Sequence, residues 1–532
     1  MTVSASIPAA NTALAQGNVT NGATRVHGQS ASPRSMFNYI EDKIPNAFKL
    51  AILFYVVIYR IISPASVALI EGQDLGTVLL RVSVRALAEF SLVLPLLTFR
   101  RCGYLHPLVF PTLYLYAFDI VFQPIHLFLP LVVAANPLFE ISPSWAYVLH
   151  RLPAARYVTE TILLDVAKTL FFLCIYGGFL LFGRGLKFRK KITRAQILGK
   201  NRGIAQAAAF YVMLCILSGW AFIIARGGVA AQIVSFYEGR VESLTGDGVF
   251  TVLTKTGSVG LVIWLSSKMG VEKRPSFIIL TSLLLPVYWL VDGSRSSVML
   301  LVFSMLLAFC LRSGKIPTKG ALVAASFAFL IFGVLGMLRQ DYGSSTVNTA
   351  AFDTSNASEW VEASRKETSK RAAEEGDLAA FVAGRSIAYL DGKTYLSTLA
   401  YPIPRALWPT KPKNVYTYNN WVAFLGNSPD TPAPKVYGIP VSPYAEAFWN
   451  FGWSGILFVG FMVGIGYRII LELFRSRPFS PFYLALYVES LLYFNGGSRW
   501  GFYFIQNSIA IFLVFLIYAL ISKFSAKFSS TP

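Results

Sequence analysis

The chain has 532 residues, of which 55% are hydrophobic and only 14% are charged. Soluble globular domains carry about 25% charged residues, so this composition excludes an ordinary soluble protein and predicts an all-α polytopic membrane protein. The formal net charge of +20 would suit a nucleic-acid-binding protein. However, most Lys and Arg residues fall in short loops between apolar segments, where they set membrane orientation, and we predict no nucleic-acid partner.

The N-terminal region carries no signal-peptide pattern. Its first 35 residues are dominated by Ala, Ser, Thr, Asn and Gly, without an apolar stretch. We therefore predict a disordered cytoplasmic tail over residues 1–45.

Twelve apolar segments have about the 20 residues that a membrane-spanning helix needs. Nine lie within residues 46–338 and three lie within residues 445–532, which also include the C-terminus. In chain order the predicted spans are approximately 47–70, 76–98, 107–133, 158–183, 204–225, 249–268, 275–291, 296–312, 320–338, 445–474, 480–495 and 502–522.

Loop charge predicts the orientation of these spans. The loop over residues 184–202 is crowded with Lys and Arg, which places it in the cytoplasm. Alternation then puts the other short basic loops and both termini in the cytoplasm. It also makes residues 339–444 one large extracytoplasmic loop. Within this loop, residues 358–375 favour a solvated helix, and the aromatic part from Leu378 onward is expected to lie on the membrane or the helix bundle.

Ionisable residues occur inside several predicted spans, where an unpaired charge costs several kcal/mol. Most of them fall in the outer half of the bilayer, which favours a hydrated cavity open to the exterior. Pairs within one helix, Arg85 with Glu89 and Asp165 with Lys168, are the structural alternative. Arg60 and Asp119 lie nearer mid-bilayer and have no assigned role. The outer-half residues are Arg81, Arg85, Glu89, Asp165, Lys168, Lys255 and Glu489.

The four cysteines lie in or beside apolar segments, and their spacing fits neither a disulfide framework nor a zinc site. We interpret them as small buried hydrophobic residues. No metal and no cofactor is predicted.

Two stretches in and after the long loop carry a recognisable pattern. They are PIPRALWPTKP at 402–412 and SPYAEAFWNFGWSG at 442–455. Together they resemble the bacterial O-antigen polymerases (Wzy), also called oligosaccharide repeat-unit polymerases, over roughly 385–455. The matching residues are Pro404, Arg405, Trp408, Pro409, Lys411, Pro412, Glu446, Asn450, Phe451 and Gly452.

The resemblance implies a GT-C-like glycosyltransferase that acts outside the inner membrane. Its donor would be a growing glycan on undecaprenyl diphosphate, and its acceptor would be one lipid-linked repeat unit. Partners implied in this way are membrane lipid, a flippase and a chain-length regulator. The chain lacks the Asp-x-Asp motif of metal-dependent nucleotide-sugar enzymes, so the reaction is expected to need no metal.

The resemblance makes the 339–444 loop periplasmic, in a bacterial inner membrane. The implied reaction needs a base, phosphate-binding groups and sugar-stacking rings, and residue chemistry and position give the candidates for each. Glu446, at the start of an outer membrane helix, is the first candidate for general base, with Asp391 and Asp292 as alternatives. A carboxylate that only stabilises its helix N-terminus is the structural alternative for Glu446. Planar guanidinium groups bind phosphate oxygens through paired hydrogen bonds, and aromatic rings stack on sugars. The remaining candidates are Arg295, Arg339, Arg385, Arg405 and Arg499 for diphosphate, with Arg405 also catalytic, and Tyr395, Trp408 and Tyr444 for sugar.

Two rival functions remain open. O-antigen ligases use the same donor but are associated with a histidine in the long loop, and residues 151–532 contain no histidine. A lipid-linked oligosaccharide flippase would be expected to place charges along the whole bilayer depth.

Overall fold

The computed structural model of the chain is helical, with no strand among the residues it describes. The described residues are 39–70, 73–99, 102–122, 154–182, 201–233, 248–268, 270–293, 295–314, 373–386, 389–400, 403, 408, 410 and 441–529.

A π-helical segment, Val56–Ile62, joins the first two helices, and a 3-10 turn, Val271–Lys273, precedes the ninth. The helices are α1 (Asn46–Tyr55), α2 (Ser63–Ile70), α3 (Leu75–Thr98), α4 (Phe110–Phe122), α5 (Ala154–Phe182), α6 (Asn201–Ala225), α7 (Gly248–Lys255), α8 (Gly257–Ser267), α9 (Pro275–Asp292), α10 (Arg295–Ser313), α11 (Ala373–Ser386), α12 (Lys393–Ala400), α13 (Pro443–Ser476), α14 (Pro481–Tyr493) and α15 (Ser498–Ser529).

Within this described part, five helical stretches are long and apolar enough to cross a membrane. The prediction of an all-helical membrane protein is thereby confirmed, whereas the number of twelve spans and the long outer loop stay predictions. The predicted span 320–338 lies outside the described residues. The five stretches are Asn46–Ser66, Arg156–Phe182, Gly203–Ala225, Pro443–Ser476 and Trp500–Phe524, and shorter apolar helices run over Pro275–Val291 and Ser297–Ser313.

The predicted span 249–268 is two helices, α7 and α8, that meet at Thr256. The Thr256 hydroxyl lies 2.7 Å from the Leu253 carbonyl oxygen and 2.6 Å from the Tyr211 hydroxyl, which ties the junction to α6. Almost all residues of α8 are buried. A helix that is apolar on every side belongs inside a bundle, and α8 packs against α6, α10 and α14.

Two glycines spaced four residues apart bring α13 close to α5. A Cβ atom added at Gly460 would lie 2.7 Å from the Phe171 carbonyl oxygen, and one at Gly464 would collide with the Ile175 carbonyl oxygen. Small residues at this spacing let membrane helices approach at the backbone. The α5–α13 pair is therefore a close contact, and the start of α13 is held against it.

A buried ionic network connects α5 to the helices that precede it. Glu89 is fully buried, and its Oε1 lies 2.7 Å from Lys168 Nζ and 3.3 Å from an Arg60 nitrogen. The Tyr116 hydroxyl donates to Glu89 Oε2 at 2.9 Å. The within-helix pairs considered from sequence do not include this pairing of α3 with α5. The network joins the π-helical segment, α3, α4 and α5 around one carboxylate.

Candidate functional site

A glycine interrupts α13 close to its start. Gly452 has φ 64° and ψ −149°, a conformation that is essentially restricted to glycine. The backbone N–H groups of Leu390 and Asp391 donate to the carbonyl oxygens of Trp449 and Asn450 at 2.9 and 3.1 Å. These hydrogen bonds satisfy carbonyl groups beside the break, as a membrane protein interior requires. The first turns of α13 thus form a separate short helix that the chain at 389–391 holds in place.

Helix α11 fixes the beginning of that short helix. The buried carboxylate of Asp377 accepts hydrogen bonds from the Ser442 backbone N–H and, at 2.7 Å, from the Tyr444 hydroxyl. The Phe381 and Phe448 rings stack with their centroids 3.9 Å apart. Tyr444, predicted to stack on sugar, therefore has its hydroxyl engaged by Asp377.

Glu446 lies in the first turn of α13 with only 1% of its surface exposed. Its Oε2 accepts a hydrogen bond from the Ser498 backbone N–H at 2.9 Å, so the carboxylate also contacts the first turn of α15. Both helix N-termini favour a negative charge here. The other oxygen, Oε1, is buried and has no hydrogen-bond partner among the described residues. One carboxylate oxygen is therefore positioned by the protein and the other is left available.

The negative charge of this carboxylate acts on the Tyr395 hydroxyl. The Tyr395 ring stacks on Phe451 with parallel planes at a centroid distance of 6.0 Å. Its hydroxyl is buried without a hydrogen-bond partner in the part of the chain that the structure describes. Burial, together with the nearby negative charge of Glu446, raises the pKa of Tyr395 well above its usual range. Tyr395 consequently stays protonated and able to donate.

Asn450 follows Glu446 by one helical turn and is fully buried. Its Nδ2 donates to the Thr394 hydroxyl at 2.8 Å and to the Glu446 carbonyl oxygen at 2.9 Å. Its Oδ1 is buried and unpaired within the described ranges. Asn450 thus joins α12 to α13 and leaves one amide oxygen as an acceptor.

The three side chains together have the chemistry of a hydroxyl-binding site. Each unpaired buried polar atom costs roughly 1–3 kcal/mol unless a ligand or water satisfies it. Glu446 Oε1 and Asn450 Oδ1 accept hydrogen bonds, and the Tyr395 hydroxyl donates one. A carboxylate beside a neutral donor can orient an incoming hydroxyl group and take its proton.

Arg385, predicted to bind diphosphate, lies at the end of α11. One of its nitrogens is 3.0 Å from Glu160 Oε2, and Arg156 approaches Oε1 of the same carboxylate at 3.7 Å. Glu160 is almost completely buried, whereas the Arg385 and Arg156 side chains are 39% and 45% exposed. Two guanidinium groups thus approach one buried carboxylate.

The other predicted residues are only partly covered by the structure. Trp408 is half-buried. Arg295 and Arg499 belong to the first turns of α10 and α15, where only their backbone positions are described. Arg339 and Arg405 lie outside the described residues. The proposed convergence of arginines on one pocket therefore stays a prediction.

Sequence reasoning did not assign roles to Asn450, Asp377, Glu160 or Ser498. A signal existed for Asn450, since Glu446 and Asn450 are four residues apart and share one helix face. Asp377 contacts partners that are far away in the sequence, and so does Glu160 through Arg385. The spacing of Arg156 and Glu160 by four residues was a local signal for Glu160. Ser498 contributes through its backbone N–H, which every residue except proline carries.

Comparison of the chain with protein-family models, with curated protein sequences and with solved structures gave no match.

Proposed function

We propose that this chain is a membrane glycosyltransferase that lengthens a lipid-linked glycan, as its resemblance to the O-antigen polymerases implies. The donor is a growing glycan on undecaprenyl diphosphate, and the acceptor is a single lipid-linked repeat unit. The reaction takes place at the outer face of a bacterial inner membrane and requires no metal.

The main support for this proposal is the burial and hydrogen bonding of the Glu446 carboxylate. Its carboxylate is fixed through Oε2, while Oε1 is buried and unpaired in the described region, and the negative charge of Glu446 acts on the buried Tyr395 hydroxyl. A carboxylate that only stabilised a helix N-terminus would not need to be buried next to a second unpaired polar group. The three side chains also fall within the stretch that carries the resemblance.

In the proposed reaction, an acceptor hydroxyl oxygen attacks the anomeric carbon of the donor glycan. The bond between that carbon and the diphosphate oxygen breaks, and the diphosphate leaves with the bonding electron pair. Glu446 Oε1 takes the proton from the attacking hydroxyl. Negative charge develops on the leaving diphosphate, so guanidinium groups that contact it stabilise the transition state. Arg385 and Arg405 are our candidates for this role.

Deleting the gene in its host tests the proposal. Loss of a chain-extending enzyme should leave surface glycan with one repeat unit on each anchor, and the wild-type gene should restore full-length chains. A Glu446→Gln gene should not restore them. Complete loss of surface glycan on deletion would indicate a ligase or a flippase instead and would refute the proposal.

A further inference from the structure

Helix α14 carries a buried carboxyl group that the proposed reaction does not use. Glu489 is 1% exposed, and Val488 and Leu491 beside it on the helix are buried as well. The helix packs against α8, α10, α13 and α15 and lies within the predicted membrane span 480–495. A carboxyl group in such surroundings needs either a partner that stabilises its charge or a proton that removes the charge.

A single neutral group hydrogen-bonds to the Glu489 carboxyl group within the described ranges. Asn507 Nδ2, on α15, donates to Glu489 Oε2 at 2.6 Å. The other oxygen, Oε1, is buried and has no hydrogen-bond partner among the described residues. One neutral donor does not compensate a full negative charge inside a helix bundle.

No described cation pairs with Glu489. Helix α8 has no ionisable side chain, and the described group that interacts electrostatically with Glu489 is the hydroxyl of Tyr493, one turn further along α14. Lys255 of α7 forms no ion pair with it. The same holds for the charged side chains described on the other neighbouring helices, which are Arg312 on α10, Glu446, Arg468, Glu472 and Arg475 on α13, and Lys523 on α15.

Glu89 shows how the same chain compensates a buried carboxylate with charge. It is also fully buried within a predicted span, but Lys168 and Arg60 lie 2.7 and 3.3 Å from its Oε1, and Tyr116 donates to its Oε2. Two cations and a hydroxyl donor can stabilise an ionised group there. Glu489 has one amide donor where Glu89 has two cations, so its charge must be removed in another way.

A bound metal cation is one such way, and the orientation of Asn507 argues against it. A hard cation needs several oxygen ligands. Asn507 instead presents its N–H group, a donor, to the carboxyl group. The arrangement suits a proton better than a metal ion.

Water can come within one residue of Glu489. Asn507 and Gln506 line a small crevice between α7, α9, α10, α14 and α15 that has a cavity volume of about 20 Å³, enough for one water molecule. Gln506 Oε1 is buried without a described partner, so a water there would donate to it. Asn507 thus lines the crevice and also contacts Glu489.

We infer that Glu489 is a proton-binding site within the helix bundle, which holds a proton at neutral pH and exchanges it with water in the crevice past Asn507. The proton is bound at Oε1, while Oε2 accepts the hydrogen bond from Asn507. Loss of the proton at alkaline pH would leave an unpaired charge between α14 and α15, so this contact is sensitive to pH. The site is separate from the proposed function, because no step of glycan extension uses Glu489.

Infrared spectroscopy of the purified full-length protein tests this inference, because a protonated carboxyl group has a carbonyl absorption that an ionised carboxylate lacks. Wild-type protein at neutral pH should show this absorption, and Glu489→Gln should lose it. Glu472→Gln is the matched control, since Glu472 pairs with Arg468 and Arg475, and this variant should keep the absorption. In heavy water the band should shift, because deuterium replaces the exchanging proton.

Thermal unfolding of the same variants gives a second measurement. Glu489→Gln replaces one neutral group by another, and its amide oxygen can still accept from Asn507, so its melting temperature should stay close to that of the wild type. The inference is overturned if wild type and Glu489→Gln have the same carbonyl absorption, if the band does not shift in heavy water, or if sodium chloride in place of choline chloride abolishes it. A large fall in the melting temperature of Glu489→Gln would indicate an ionised, paired carboxylate and would also contradict it.

Discussion

Glu446 is the residue on which the proposed chemistry depends. A buried carboxylate is unfavourable unless it is compensated, and here the compensation comes from the Ser498 backbone N–H group and two helix N-termini. No described cation pairs with it. A carboxylate stabilised in this way keeps one oxygen available for a proton from a substrate.

Replacing Glu446 by Gln tests this role directly. The amide has nearly the same shape and still accepts from the Ser498 N–H, but it cannot take a proton. We expect the rate of glycan extension to fall by about 100-fold or more, in the range seen for loss of a general base. Extension of a lipid-linked repeat unit by purified protein is the measurement.

Glu472→Gln is the control for that change, because Glu472 lies on the same helix and pairs with Arg468 and Arg475. It should extend chains at close to the wild-type rate. Equal rates for wild type and Glu446→Gln would remove Glu446 from the mechanism.

Tyr395→Phe separates function from stability. The hydroxyl is buried without a described partner, so removing it should leave thermal stability unchanged or raise it slightly. If the hydroxyl donates to substrate, extension should slow by about tenfold, the effect of losing one hydrogen bond of about 1.4 kcal/mol. Melting temperature and extension rate are measured on the same preparation. Normal activity with lost stability would show that the hydroxyl is structural.

At the scale of elements, the break in α13 positions the site. A continuous helix through Gly452 would make the carbonyl groups of Trp449 and Asn450 unavailable to Leu390 and Asp391, and α12 would lose its anchor. Glycine is required at position 452 for two reasons: the backbone has a positive φ, and there is no room for a Cβ atom. A Cβ atom there would lie 2.9 Å from the Tyr389 hydroxyl.

Gly452→Ala is therefore expected to destabilise the protein by about 1–3 kcal/mol and to reduce glycan extension by displacing Glu446. Gly177→Ala provides a matched comparison within a helix, because nothing lies within 4 Å of a Cβ atom at Gly177. That change should be neutral or stabilise by up to about 1 kcal/mol. Melting temperatures of the two variants in the same detergent give the comparison. Similar stability for both would contradict the assigned role of the break.

Several elements could be predicted from sequence and others could not. The long apolar helices α5, α6, α13 and α15 follow from their length and composition. The break at Gly452 could not be predicted, because the apolar pattern continues through it and a glycine alone is tolerated within a helix. The division of 249–268 into α7 and α8 was missed for the same reason.

The candidate site, too, could be predicted from sequence only in part. Glu446 and Tyr395 were candidates from the sequence, and in the structure the Tyr395 ring stacks on Phe451, which follows Glu446 on α13. Their proximity depends on how α12 packs against α13 and α15, and that packing is a tertiary feature that spacing along the chain does not encode. Asp377 was missed because its partners are 65 and 67 residues away, and the pairing of Glu160 with Arg385 was missed because 225 residues separate them.

At the scale of the whole molecule, the Glu89 network holds the N-terminal helices to α5. Its pairing was not predictable, since Lys168 and Glu89 are 79 residues apart. The sequence showed Glu89 and Lys168 to be ionisable residues inside predicted membrane spans, where an unpaired charge is unfavourable. The structure explains them as a link between helices, and this link does not require a hydrated cavity.

Removing one charged partner from this network should strongly destabilise the folded protein. Glu89→Gln leaves Lys168 and Arg60 buried or partly buried without their carboxylate, and Lys168→Met leaves Glu89 with one fewer cation. Each change is expected to cost about 3–5 kcal/mol, as for other broken buried ion pairs. The double variant should lose less than the sum of the two single variants. Additive losses in thermal unfolding would show that the two groups do not interact.

Whether this chain lengthens a lipid-linked glycan through Glu446 can be measured with the isolated protein. Purified protein is mixed with the lipid-linked repeat unit that accumulates in a host strain lacking the gene, and the products are separated by size. Our account predicts a ladder of chains that grows by whole repeat units without added metal, and no ladder with Glu446→Gln. A product that never exceeds one repeat unit with active wild-type protein, or an unchanged ladder with Glu446→Gln, would contradict it.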